Sequence, residues 1–199
     1  ILWIANAGED TLSEFDTTQQ VGSPGREVAR FHTWFSSGVN SAGGGHGAWE
    51  GPAPSRTAVD VDGNAYVLNR HFDGRSAVLL KILAHGFLDR NANRLAGTSQ
   101  DIQDERVAWA MRVPDGVAAP LQFGLYGRAL CIGTDGNLWV GLYSGSSYYK
   151  VRASDGGTII GPVSTAPTAG KPNAGSWTPY GCLVDKNGVL WSASLGNIL

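Results

Sequence analysis

Thr134-Asp135-Gly136-Asn137-Leu138-Trp139-Val140 is the stretch on which the reading of this chain turns, because the chain repeats it. Asp62-Gly63-Asn64-Ala65-Tyr66-Val67 and Asn187-Gly188-Val189-Leu190-Trp191-Ser192 are further copies, and Leu2-Trp3-Ile4-Ala5-Asn6 is a copy without its front half. In each full copy an apolar run enters an Asp-Gly or Asn-Gly corner, and a run led by an aromatic residue leaves it. Both central positions of a type I′ turn need φ > 0, which Asn, Asp and Gly tolerate best, so each copy predicts a β-hairpin. The stretches before the corners, Ser55 to Asp60, Arg128 to Ile132 and Tyr180 to Asp185, align without gaps on the aromatic residue and predict the same strand three times.

The aromatic positions Trp3, Tyr66, Trp139 and Trp191 lie about 50 to 75 residues apart, more than the roughly 40–45 typical of a four-stranded propeller blade, so the excess is loop. Ser36 to Pro54 and Ser164 to Pro179 are dense in Gly, Ser, Pro and Ala, without a hydrophobic period. No stretch has the period of an amphipathic helix. Four antiparallel strands per unit, repeated with Asp-Gly corners, predict an all-β chain and a β-propeller, its blades packed around a channel. Sequential strands of a β-sandwich are the second choice. The units fall at residues 1–34, 55–113, 128–163 and 180–199 of a single domain spanning 1–199, with an insertion at 84–106. About three to four four-stranded blades are visible, so a partial propeller is expected. Half-units at both ends predict unpaired strand edges, covered by further sequence or by self-association. A start at Ile1 in mid-repeat fits a trimmed precursor, an export product or a fragment.

Composition narrows the function classes. Twenty-eight Gly, seven Trp and only 16% charged residues describe a turn-rich β protein and not a disordered one. A net charge of −2 with acidic and basic residues scattered offers no basic field for nucleic acid. The longest apolar stretches fall far short of the ~20 residues of a membrane helix. Two cysteines, Cys131 and Cys182, have no metal-ligand spacing. Aligned on the tryptophans, Cys182 falls opposite Leu130, one residue out of step with Cys131, so the two point from opposite faces of successive blades. Successive blades meet through opposite faces. The pair therefore either converges on one interface as a disulfide, the preferred reading, or diverges; a disulfide fits an extracellular or periplasmic protein.

Pro54-Ser55-Arg56-Thr57-Ala58-Val59-Asp60-Val61-Asp62-Gly63-Asn64-Ala65-Tyr66-Val67, Pro179 to Asp185 and the strand Tyr149-Lys150-Val151 resemble the repeats of NHL and streptogramin-lyase-like propellers. The resemblance covers about two thirds of the chain. It implies the blade and leaves the chemistry open, since lyases, lactonases and binding modules share it. No position here matches the lyases' His/Glu catalytic set.

In such blades the loops joining second to third strand, and one blade to the next, open on a single rim. That rim is expected to carry His46, Trp49, Glu50, Arg56, Asn69, Arg70, His71, Tyr126, Arg128, Trp177 and Tyr180. Two readings follow. His46 or His71, oriented by Glu50 or Asp73, has the chemistry of a general base for a lyase or hydrolase. Exposed Trp, Tyr and Arg are the residue types of a recognition surface for a protein or carbohydrate ligand, and binding, which demands less geometry, is preferred.

A second constellation lies in the insertion. Asp89, Asn91 and Asn93 present side-chain oxygens at relative positions 1, 3 and 5, Leu95 a carbonyl at 7, and Asp101 a later carboxylate, the spacing by which a loop wraps calcium. It resembles dockerin-like Asp-x-Asn-x-Asn-Gly loops, with Arg94 in place of the Gly and Asp101 one residue late. Structural Ca2+ binding and a metal-free remnant are both open. If the loop holds calcium, a chelator lowers the melting temperature and exposes residues 88–101 to protease; an unchanged melting curve and digest mark a metal-free loop.

Overall fold

The computed structural model describes residues 1–18, 25–33, 51–72, 76–88, 105–114, 126–166, 177–194 and 197–198. Fourteen strands and no helix occur among them. They form four antiparallel sheets in chain order: β1 (Leu2–Asn6), β2 (Thr11–Asp16) and β3 (Arg26–His32); β4 (Pro54–Val59), β5 (Ala65–Asn69), β6 (Val78–Ile82) and β7 (Val107–Arg112); β8 (Gly127–Ile132), β9 (Leu138–Leu142), β10 (Ser147–Val151) and β11 (Thr158–Ser164); β12 (Gly181–Val184), β13 (Leu190–Ser194) and β14 (Asn197–Ile198). Each strand pairs with its sequence neighbour. The leading strands β4, β8 and β12 lie side by side from sheet to sheet, as the innermost strands of propeller blades do, and β1, which the repeat aligns with the second strand β5, packs against β4.

Period-two burial explains why the sheets stack. Every residue of β5 is buried, because its alternate side chains enter different cores. Ala65 and Val67 pack with Trp3, Leu12 and Phe31 of the first sheet. Tyr66 and Leu68 pack with Leu130, Leu138, Val140 and Leu142 of the third. The third sheet meets the fourth at close range: Tyr148 shares a hydrogen bond of 2.8 Å with Ser192, and a Cβ at Gly141 would lie 2.5 Å from Pro179 Cβ, so only glycine admits this approach. The far faces of the end sheets differ, carrying exposed Leu2, Ile4 and Val28 at one end and Leu183, Val189 and Trp191 at the other.

The repeated corner has a polar mechanism. Asp60 Oδ1 accepts hydrogen bonds from the backbone N–H groups of Asp62 and Asn64, and Tyr66 donates its hydroxyl to Asp60 Oδ2 at 3.1 Å. Asp185 does the same for Asn187 and Val189, with Trp191 Nε1 donating at 3.1 Å. One carboxylate thus caps the turn and fixes the aromatic that begins the next strand. Blade three has Gly133 at the matching position, and Asp135 Oδ1 would lie only 2.8 Å from a Cβ there; here the carboxylate comes from two residues later. Gly63, Gly136 and Gly188 hold φ of 83°, 76° and 81°, whereas Asp62, Asp135 and Asn187 before them do not have positive φ; the hairpins form as expected, but their corners are not the type I′ turns that need φ > 0 at both central positions.

Cys131 and Cys182 form a disulfide, with Cα atoms 5.8 Å apart. Cys131 pairs with Trp139 but Cys182 with Ser192, one residue beyond Trp191, so the one-residue offset turns the two sulfurs toward the same interface. The bridge closes 51 residues. In the chain-entropy treatment this stabilises by about 3–4 kcal/mol, and replacing both cysteines by serine should lower the unfolding free energy in urea by that order. Unchanged stability would mean that the blade interface is held without the bridge.

Candidate binding rim at the channel mouth

The two ends of the stack are built from different backbone. Gly63, Gly136, Gly156 and Gly188, all with positive φ, occupy hairpin corners at one end. Among the described residues the non-glycine residues with positive φ, Asp10 (54°), Ala53 (45°), His71 (59°) and Ser146 (43°), lie at the other: Asp10 between β1 and β2, Ala53 leading into β4, His71 between β5 and β6, and Ser146 between β9 and β10. Such residues are costly unless the surroundings hold them, and they concentrate at functional surfaces. The surroundings here are specific: Asp10 Oδ1 accepts from Ala53 N–H at 2.7 Å, and His71 N–H donates to Pro52 O at 3.0 Å.

At this rim the innermost strands begin irregularly. Ser55 is an extra residue between the Pro54–Asn69 and Arg56–Leu68 pairs, and Arg128 is one between Gly127–Leu142 and Ala129–Gly141. Such bulges re-aim side chains. Counted back from the repeat aromatics Tyr66, Trp139 and Trp191, Ser55, Arg128 and Tyr180 are equivalent positions, so three consecutive blades set them side by side.

Arg56 ties these strands together. Its Nη1 donates to its neighbour Ser55 O at 3.2 Å, its Nε to Arg128 O at 2.9 Å and Tyr180 O at 3.3 Å, and its Nη2 to Tyr180 O at 3.2 Å. One guanidinium thereby serves carbonyls of three blades. It also lies 4.8 Å from the centre of the Tyr180 ring, and the Arg128 guanidinium lies 4.5 Å from the same centre. The cation of Arg128 first, then Arg56, holds the Tyr180 phenol below the ordinary tyrosine value. Arg70 completes the group: burial, then the charges of Arg128 and Arg56, pull its guanidinium below the ordinary arginine value, and Tyr180 opposes the shift. Arg70 donates to Ala53 O at 3.0 Å and stands over the Phe72 ring at 4.6 Å. Phe72 meets Tyr126 edge-on at 5.3 Å, and Tyr143 meets Tyr180 edge-on at 6.3 Å.

The rim residues expected from sequence therefore divide. Arg56, Arg70, Arg128, Tyr126 and Tyr180 come together. Asn69 and His71 sit beneath the rim, each fully buried; Asn69 donates to Thr33 O at 2.6 Å and serves the junction of the first two blades. Trp177 is half-buried, and its carbonyl accepts from Thr165 Oγ1. His46, Trp49, Glu50 and Asp73, and the calcium-loop residues Asp89, Asn91, Asn93, Leu95 and Asp101, lie outside the described residues. Among the described residues no cluster of His, Cys, Asp or Glu has metal-site geometry, and no helix is long and apolar enough to cross a membrane. Tyr143 was not anticipated. It could have been, because it follows Trp139 at the interval by which Arg70 follows Tyr66.

No family model and no curated relative matches the chain. Among solved structures, it is similar to a virginiamycin B lyase from Staphylococcus aureus over 96% of its own length and 44% of that chain, at 12% identity and a TM-score of 0.54. A putative gluconolactonase (12% identity, TM-score 0.49, 96% and 53% covered) and a streptogramin B lyase (15%, 0.45, 96% and 57%) align less well. At these identities the likeness shows the propeller fold alone, and the chain spans about half the length of each structure.

The carbonyls bound by Arg56 have no substitute donor among the contacts described, whereas Arg128 makes only its ring contact. Arg56→Met should therefore cost about 2–3 kcal/mol of stability, since hydrogen bonds from a charged donor are worth about 1.5–3, and Arg128→Met less than about 1 kcal/mol. Equal losses in urea denaturation would contradict the division of labour between the two arginines.

Proposed function

We propose that the protein is an exported propeller module that binds a protein or carbohydrate ligand at this rim. The observation that supports it is the convergence of Arg56, Arg128 and Tyr180 from three successive blades, flanked by Tyr126, Tyr143 and the exposed Phe72. Arg and Tyr are the residue types that dominate recognition surfaces, and a mouth formed at the propeller axis is where such folds accept ligands. The disulfide supports an extracellular or periplasmic setting. A lyase or lactonase role, as in the similar structures, needs a base in reach of a substrate, and His71 is fully buried beneath the rim. His46, Glu50 and Asp73 lie outside the described residues, so the preference for recognition rests on the arginine and aromatic surface.

Amide chemical-shift mapping against a panel of neutral and acidic saccharides and short peptides tests the reading. Binders should perturb the amides of Gly127, Arg128, Ala129 and Gly181 and leave the glycine corners at 63, 136 and 188 unmoved. Perturbations confined to those corners would refute a site on this rim.

A further inference from the structure

Resting on that rim as the binding surface, the charge arrangement around Tyr180 specifies the ligand further. Among the described residues neither Arg56 nor Arg128 has a carboxylate partner: Arg56 is bonded to neutral carbonyls, and Arg128 makes only its contact with the Tyr180 ring. Arg70 lies near enough for both charges to act on it. Two like charges gathered on one aromatic ring, with a third beside them over Phe72, repel one another, and three-blade geometry holds them there. Carbonyl dipoles and a ring face offset this only in part. The complement is an oxyanion, which a guanidinium fork reads through two parallel hydrogen bonds.

The aromatic pairs beside the cations limit the rest of the ligand. Phe72 with Tyr126, and Tyr143 with Tyr180, present apolar ring surface next to the charge, whereas a site for a bare inorganic ion needs none. A pyranose offers C–H groups to pack on such rings, and a uronic acid carries its carboxylate at the ring's edge. We infer that Arg56 and Arg128 form a carboxylate-reading subsite and that the ligand is an acidic sugar of the uronate class, bound with its carboxylate on the guanidinium pair and its ring against the neighbouring aromatics.

Titration of the full chain with galacturonate, glucuronate, galactose and inorganic phosphate, followed by the amide shifts of Gly127 to Ala129 and by calorimetry, tests this. At least one uronate should bind at the rim at least tenfold more tightly than galactose and than phosphate, and the affinity should fall as salt is raised. Arg128→Met should weaken the uronate ten- to a hundredfold, the range expected for losing a charged hydrogen-bonding group, with the melting temperature nearly unchanged. Arg128→Lys, which keeps the charge without the fork, should recover part of the loss. Failure of both uronates to bind, equal binding of galactose, preference for phosphate, or an affinity insensitive to Arg128→Met would each overturn the uronate assignment. A neutral saccharide or peptide mapping to the rim alongside such a failure would leave the rim itself standing; binding only at the opposite face would bring down both.

Discussion

A β-sheet whose strands are apolar on both faces cannot fold alone, and this constraint organises the whole molecule. In β5 consecutive residues belong to consecutive cores, so the second blade requires one neighbour on each side. Stacking twisted sheets face to face brings their leading strands together at one axis, where the strand backbones converge and side-chain space is scarce. Small residues fit there, and the Gly141–Pro179 approach shows how little room remains. What the axis needs is a donor for backbone carbonyls at the mouth, and Arg56 supplies it for three blades.

The same convergence makes the candidate site. Bulges at Ser55 and Arg128 set the start of each inner strand out of the regular alternation, so side chains that a straight ladder would direct into the blade interfaces gather at the rim. The strained residues Ala53 and His71 flank them, held by hydrogen bonds to Asp10 and Pro52. The disulfide joins β8, which carries Arg128, to β12, which follows directly on Tyr180, and so links these two inner strands covalently. Stability and the proposed recognition therefore draw on one set of residues at the inner strands.

Much of this was legible in the sequence because the repeat is written in local signals. Asp-Gly and Asn-Gly corners and an aromatic at constant offset are short-range features, and the cysteine offset follows once strands are aligned on the tryptophans. The role of Arg56 was not legible: its bonds reach residues 72 and 124 positions away, and no local pattern encodes a contact between blades. Nor did the sequence distinguish Arg70 and Tyr126, which join the cluster, from Asn69 and His71, which the same loop buries. That outcome depends on the bulge at Ser55 and the packing of the neighbouring Gly51–Ala53 segment.

The site depends on two guanidiniums from different blades meeting at Tyr180. Titration of the Tyr180 phenol, read by carbon-13 labelling of the tyrosine ring, tests it most directly. A phenol stabilised as phenolate by adjacent cations titrates below the ordinary tyrosine value near 10, and removing one cation returns it toward that value. The structure predicts a lowered midpoint in the native protein that rises in Arg128→Met; a midpoint at the ordinary value, or one unmoved by the substitution, would contradict the convergence on which the site depends.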